Sequence, residues 1–363
     1  MELTTLIKTY RDAFEVKYAK SLLPGHRRAL DAIIHCRTPA AGEVLARCTD
    51  CGQVEWHPCS CGHRSCPRCQ NHEASQWLER QRDKLLPVDY FLVTFTLPAQ
   101  LRSLAGKHQR KVYAALFRAA SQTLKQFGCN PKHLGAEIGM TAILHTHSRR
   151  LTYHPHLHVV VPGGGVDRKQ SVWKRTRYQY LFNEFALATV FRGKFLHEIA
   201  TVGLQSPTGT PKQWVVDCRH AGRGNSALEY LSRYLYRGVI RESNILFDRN
   251  GWVTFQYVDG ETGNIRTESL RGADFLWRVI QHVLPRGFHR VRDYGFLHHN
   301  ARKTLRLIQL ILQVVLKPEQ PRERPVFCCS ACGGNMNVIG IYPAYRIEQQ
   351  IRPAHGPPAA IPV

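Results

Sequence analysis

The chain has 363 residues, with 50 Lys and Arg against 27 Asp and Glu, giving a formal charge of +23, and it carries 12 Cys and 19 His. Such a length buries at least one large core with room for smaller domains beside it, and such an excess of positive charge fits a polyanion, of which nucleic acid is the commonest. Met1 to Lys20 is polar and amphipathic, unlike a secretory leader, and no apolar run reaches membrane-spanning length, so a membrane protein is excluded, an intracellular one is expected, and the cysteines point to metal before disulfides.

In chain order, residues 1 to about 35 read as helical. Leu6, Tyr10, Phe14 and Tyr18 recur every four positions, and the periodicity continues from Arg27 to Ile34 after Pro24-Gly25. Cys48-x2-Cys51 and Cys66-x2-Cys69 follow as two knuckles separated by fourteen residues. Paired thiolates at such turns suit one tetrahedral Zn²⁺. His26, Cys36, Cys59 and Cys61, with His57 and His63 nearby, could supply a second zinc, although their spacing selects no ligand set. Arg64, Arg68, Arg80, Arg82 and Lys84 make this front end a plausible DNA-docking module whose folding free energy comes largely from metal.

From Asp89 the texture changes. Tyr90 to Leu97 is rich in β-formers and predicts a strand. A long amphipathic helix is predicted from Leu101 to Phe127, and a second strand from Gly139 to His147. A third strand contains Tyr153-His-Pro-His-Leu-His158-Val-Val-Val-Pro162 and ends in three glycines. In a strand, side chains two apart point the same way, so His156 and His158 emerge together while Leu157, Val159 and Val161 face the other side. If the second and third strands form a hairpin, His145 falls near His158 and becomes a candidate third metal ligand. The three glycines would allow close approach by something bulky.

Another basic, aromatic helix is expected within 171 to 200. A linker at 206 to 211, a strand at Trp214 to Cys218 and a helix from Ala227 to Arg237, capped by Ser226, follow. On that last helix Tyr230, Tyr234 and Arg237 share a face. Val253 to Val258 and Asn264 to Glu268 read as a hairpin about Asp259-Gly260, residues 270 to 284 as a helix, and 285 to 297 as a basic, aromatic stretch able to track single-stranded nucleic acid or to pack as a strand. A basic helix is expected from Ala301 to Leu316. Cys329-x2-Cys332 then forms a third knuckle with no visible partner pair, and a Pro- and Ala-rich tail after Arg352 reads as disordered. The expected organisation is a zinc-binding, DNA-docking domain over 1–87, a larger domain with the histidine strand over 88–300, and a basic helix, cysteine knuckle and tail over 301–363.

A two-His strand, a two-Tyr helix face and a large positive field find a common account in phosphoryl transfer on DNA. Imidazoles can hold a divalent metal that polarises a scissile phosphate. A tyrosine hydroxyl can attack phosphorus to give a covalent phosphotyrosine, with Arg237 stabilising charge. Phenols at i and i+4 could both reach one site in turn.

The motifs Gly25-His-Arg-Arg-Ala-Leu30, Cys66-Pro-Arg-Cys69-Gln70, Val93-Thr-Phe-Thr-Leu-Pro98, His154 through Gly165, Glu229-Tyr-Leu-Ser-Arg-Tyr234, Leu284-Pro-Arg-Gly-Phe288 and Tyr294-Gly295 run nearly end to end. In their order and variety they resemble the transposases of the insertion-sequence-91 group, two-tyrosine members of the HUH endonuclease superfamily. The resemblance implies an α+β fold, an HUH-type antiparallel sheet flanked by helices behind a small zinc-binding domain. It further implies His156 and His158 as ligands of a catalytic Mg²⁺ or Mn²⁺, Tyr230 and Tyr234 as nucleophiles, structural Zn²⁺, and rolling-circle-like movement through single-stranded DNA at transposon ends into target DNA, in a bacterial, nucleoid-associated setting. Two departures stand out: His147 where the family commonly has Trp, and Ser65 where it commonly has His. His147 makes a second H-x-H with His145, although the Val run favours the later pair. Imidazoles suit Mn²⁺ better than Mg²⁺. The competing readings are a non-catalytic zinc-dependent DNA-binding regulator derived from a transposase and a metal-free tyrosine recombinase.

Overall fold

The structure, a computed structural model, describes residues 1–69, 71–224, 239–260, 262–315 and 326–344, with backbone only for 71–74. A five-stranded antiparallel sheet organises the middle of the chain, in the order β12 (Val291–Tyr294), β4 (Met140–His147), β5 (Tyr153–Pro162), β3 (Asp89–Thr96), β8 (Val216–Arg223). The alternation read from sequence sorts its two faces. Leu157, Val159 and Val161 join Phe91, Val93, Phe95, Met140, Ala142 and Leu144 in the largest buried cluster. Against that face pack α5 (Gln109–Cys129) and α6 (Glu184–Thr201). Along α5 the buried positions Val112, Tyr113, Leu116, Phe117, Ala120, Leu124 and Phe127 follow the three-and-four spacing of one helix face. The opposite face is apolar at one end, where Tyr90, Leu92, Ile143 and Val160 meet Phe296, Leu297 and Ile308. At its other end it carries the histidines.

Several expected elements are shifted. The helix placed from Leu101 to Phe127 is interrupted: α4 (Arg102–Lys107) ends at His108, a residue at φ −124° and ψ 43°, and α5 begins beside it. The helix expected within 171 to 200 is α6, and the residues ahead of it form β7 (Val172–Arg175), paired with β6 (Gly164–Asp167). The helix proper starts at the Asn183 cap, whose side chain accepts the Ala186 amide at 2.9 Å. The bulky group that the three glycines admit belongs to the chain itself: a Cβ on Gly164 would meet the Trp173 ring at 2.6 Å, and one on Gly165 the Glu137 carbonyl at 2.7 Å.

Long-range packing crosses the boundaries of the expected three-part division. α1 (Leu3–Lys17) and α2 (Pro24–His35) lie in one buried cluster with β10 (Trp252–Val258) and α7 (Gly272–Ile280), and Tyr10 and Tyr18 donate to Asp248 at 2.6 Å and to Asp274 at 2.5 Å. At the other end of the chain, β13 (Phe327–Cys328) and β14 (Asn335–Tyr342) join β1 (Glu43–Cys48) and β2 (Val54–Pro58) in the order β13-β14-β1-β2. The beginning and end of the described chain are thus one module, packed beside the central sheet.

Gly295 illustrates how tightly β12 is seated. Its φ is +61°, and a Cβ there would collide with the Ile138 carbonyl. Gly295→Ala should therefore cost about 1–3 kcal/mol, read as a lowered denaturation midpoint at unchanged m-value; an unaltered midpoint would contradict this packing.

Candidate active site and metal centres

His145, His156 and His158 converge on the polar end of the sheet, each offering one ring nitrogen, with these atoms within 4.8 Å of one another. His156 and His158 project together by strand alternation. His145 comes from the neighbouring strand, where its Cα partner is His156, and its ring lies 4.5 Å from that of His158 and 5.3 Å from that of His156. The convergence depends on an irregularity. His145 pairs with His156 but His147 pairs with Tyr153, so the register slips around His154-Pro155. A proline within a central strand is tolerated at such a bulge, and a bulge re-aims side chains. His147 is turned toward His282, ring centroids 5.3 Å apart, and stands outside the cluster.

The orientation of the rings is fixed from outside. His156 Nδ1 donates to its neighbour's carbonyl, His154 O, at 2.6 Å, and His158 Nδ1 lies 3.2 Å from Thr94 Oγ1, which is directly across the β3–β5 ladder. With Nδ1 engaged, Nε2 is the atom that each ring would offer to an ion. Burial pushes the imidazoles down, His156 to about 3 and His158 to about 4, and holds His145 well below its ordinary value. All three are therefore neutral near pH 7, the form that binds metal. A donor set of three neutral nitrogens on one face of a sheet fits a divalent ion with open positions for oxygen ligands.

Cationic groups surround this end of the sheet. Arg290, whose Nε donates to the Leu144 carbonyl at 2.9 Å, is close enough for its charge to depress His145, His147 and His156. A small pocket beside the cluster is lined by Arg64, Thr146, His147, Val239, His282 and Arg290. Arg64 enters it from the cysteine-rich loop, its Nη1 donating to the Phe288 carbonyl at 2.7 Å. Sequence reasoning missed Thr94, although it sits two before Thr96 on the strand face that meets the histidines. It also missed Arg290, which lay unmarked among the basic residues of 285 to 297.

The cysteines regroup. Cys48, Cys51, Cys66 and Cys69 do not share an ion: the structure divides them between a cluster of Cys48, Cys51, Cys329 and Cys332 and another of Cys36, Cys61, Cys66 and Cys69. The reason is topological, since β14 lies against β1 and brings the late knuckle onto the first one. Sulfurs approach to 3.5 Å for Cys48–Cys332, 3.6 Å for Cys51–Cys329 and 3.7 Å for Cys61–Cys69. These separations are too long for disulfides and close to the roughly 3.8 Å that four Zn–S bonds of about 2.3 Å impose on a tetrahedron. Crowding has an electrostatic signature: neighbouring Cys66 and Cys69 push the Cys61 thiol far up, a penalty that a cation in the cluster would remove. Of the suggested second zinc set, Cys36 and Cys61 join this cluster, but His26 and Cys59 do not. His26 Nδ1 accepts the Leu23 amide at 3.2 Å, closing the start of α2, and its ring packs edge-on to Trp277. Cys59 continues the end of β2, its amide donating to the Gly42 carbonyl at 2.8 Å.

Tyr230, Tyr234 and Arg237, like the helix expected to carry them, lie outside the described residues. Val239 takes up the described chain again, and it does so in the pocket beside His147. Among the described residues no helix is long and apolar enough to cross a membrane.

Comparison with known proteins gives the lineage. A family described as "Putative transposase" matches residues 139–305, and one described as "Transposase zinc-binding domain" matches residues 6–97. "Putative transposase y4qJ" of Sinorhizobium fredii (strain NBRC 101917 / NGR234) is 34% identical over 325 residues, covering 83% of this chain and 81% of that protein. The "Transposase for insertion sequence element IS801" of Pseudomonas savastanoi pv. phaseolicola is 30% identical over 285 residues, covering 73% and 68%. Among solved structures, the metal-bound conjugative relaxase TrwC in complex with oriT DNA aligns at 15% identity and a TM-score of 0.28, covering 63% of this chain and 74% of that one. With relatives aligned over most of their length, and family matches falling on both the cysteine-rich front and the histidine sheet, the chain belongs to the transposases of the insertion-sequence-91 group.

Proposed function

We propose that this transposase nicks single-stranded DNA at element ends and transfers it through a 5′-phosphotyrosine, with His145, His156 and His158 holding a divalent ion and Tyr230 and Tyr234 as nucleophiles. The observation that carries the reading is the three-imidazole cluster with two of its rings locked through Nδ1. Bound Mn²⁺ or Mg²⁺ would supply Lewis-acid polarisation of the scissile phosphate. The rest is work for the chain. A phenol oxygen attacks phosphorus, the bond from phosphorus to the 3′ oxygen breaks, the phenol proton is lost and the departing 3′ oxygen takes one up. The ester bond is conserved for rejoining, and the second tyrosine can hold another end. Arg290, and Arg237 from the segment before Val239, would offset the charge on the phosphate. Support for bringing the tyrosines here comes from Val239, which lines the pocket beside His147 only a few residues after Tyr234. The tetrathiolate cluster of Cys36, Cys61, Cys66 and Cys69 in the front end would hold structural zinc, and the +23 charge would hold the DNA backbone.

Incubation of the chain with labelled single-stranded end DNA and Mn²⁺ should give a covalent adduct that survives denaturing electrophoresis. The Tyr230→Phe/Tyr234→Phe double variant should lose it. Absence of an adduct in the wild type, with DNA binding and its steep salt dependence retained, would instead assign a non-catalytic regulator.

Thr94→Val removes the partner of the His158 ring without touching a ligand. It should weaken Mn²⁺ affinity about 10–100-fold, seen by titration calorimetry and as a matching rise in the Mn²⁺ needed for half-maximal cleavage. An unchanged affinity would mean that Thr94 does not orient the ring.

A further inference from the structure

We propose that Cys48, Cys51, Cys329 and Cys332 form one Zn²⁺ site that clasps the end of the described chain onto the N-terminal module. This site lies partly outside the matched zinc-binding region, since Cys329 and Cys332 fall beyond both residues 6–97 and residues 139–305.

Three observations converge on it. The first is sulfur geometry: Cys48–Cys332 and Cys51–Cys332 are each at 3.5 Å and Cys51–Cys329 at 3.6 Å, the edge lengths of a zinc–thiolate tetrahedron. The second is that the two knuckles are built alike. In each, a glycine follows the second cysteine in the left-handed region, Gly52 at φ 76° and Gly333 at φ 75°. In each, the first cysteine's amide donates to the carbonyl five residues on, Cys48 to Gln53 and Cys329 to Gly334, both at 2.8 Å. Two matched turns facing each other across one centre are what a four-thiolate ion requires. A donor for thiolate is also in place, since the Asp50 amide donates to Cys48 Sγ at 3.4 Å.

The third observation is that the surrounding structure holds the two halves in register. β14 pairs with β1 from Glu43↔Tyr342 to Cys48↔Met336, ending beside the sulfurs. Ser330 donates from its amide and hydroxyl to Glu55 Oε1 at 2.9 and 2.8 Å, and the Thr49 amide and hydroxyl both donate to the Asn335 carbonyl at 3.0 Å. Cys48, Cys329, Ala46 and Met336 form a small buried cluster of their own. Sulfur donors in a tetrahedral array select Zn²⁺ over the hard cation proposed for the histidines.

The test is zinc stoichiometry on the full chain, purified and exchanged into buffer with excess Mg²⁺. Cys48→Ser/Cys51→Ser should lower bound zinc by one per chain, Cys329→Ser/Cys332→Ser by one, and the four changes together by no more than one. Loss of two in the quadruple variant, or no loss with the Cys329/Cys332 pair changed, would overturn the shared site. Because a variant can fail to fold, wild-type chain reconstituted with Co²⁺ provides an independent reading. It should show the intense sulfur-to-cobalt absorption of two tetrathiolate sites per chain, and signal for only one would overturn the proposal. Neither measurement depends on DNA cleavage, so failure of the proposed nicking chemistry would leave the outcome readable.

Discussion

The two-sidedness of the central strand β5 is the constraint on which the rest depends. Leu157, Val159 and Val161 are drawn into the helix-covered core by the hydrophobic effect, and that burial fixes the register. Once the odd positions are inside, His156 and His158 have to stand on the other face. A slip of one residue would put two imidazoles into hydrocarbon and three aliphatic side chains at the site, so the stability of the core and the aim of the histidines are a single choice. The bulge at His154-Pro155 then adjusts β4 against β5, which brings His145 into the cluster and leaves His147 beside His282.

Local features of this design were legible in the sequence and nonlocal ones were not. Alternation in β3 and β5, the hairpin at β10 and β11 (Ile265–Arg271), and the helical front end follow from period and turn chemistry, which act over a few residues. His145 was reachable because a hairpin places neighbours by counting. The cysteines were a harder case. C-x2-C spacing marks a knuckle but does not say which other knuckle it meets, and the nearest in sequence was the wrong choice for both Cys48-Cys51 and Cys66-Cys69. Likewise His26 and Cys59 carry ligand-type atoms that the backbone employs otherwise, as a helix start and a ladder end. The break at His108 shows tertiary packing overriding a weak local preference.

The two kinds of metal centre also divide the electrostatic labour. At the histidine cluster, burial keeps the ligands neutral, so an ion would bring net positive charge to the sheet, reinforced by Arg290. Such a site would favour anions, as the proposed phosphoryl transfer would need. The cysteine clusters have the opposite balance, because thiolates outnumber the charge of the ion they would hold. Those centres are suited to holding structure in a strongly cationic chain. The loop of the Cys61–Cys69 cluster nevertheless reaches the histidine end of the sheet, since Arg64 sits in the pocket with His147 and Arg290.

The pairing of β14 with β1 also bears on the order of assembly. A chain is synthesised from its N-terminus, and contacts that close long loops wait on everything between them. α1, α2 and β1 emerge early, whereas β10 and α7 follow four of the five strands of the central sheet and β14 follows all five. The β1–β2 pair therefore waits for β14 until every strand of the central sheet has been made. A message cut short before β14 would yield a product in which β1 keeps an unpaired edge and Cys48 and Cys51 lack their late partners, an opening that proteases acting on incompletely folded chains would find first.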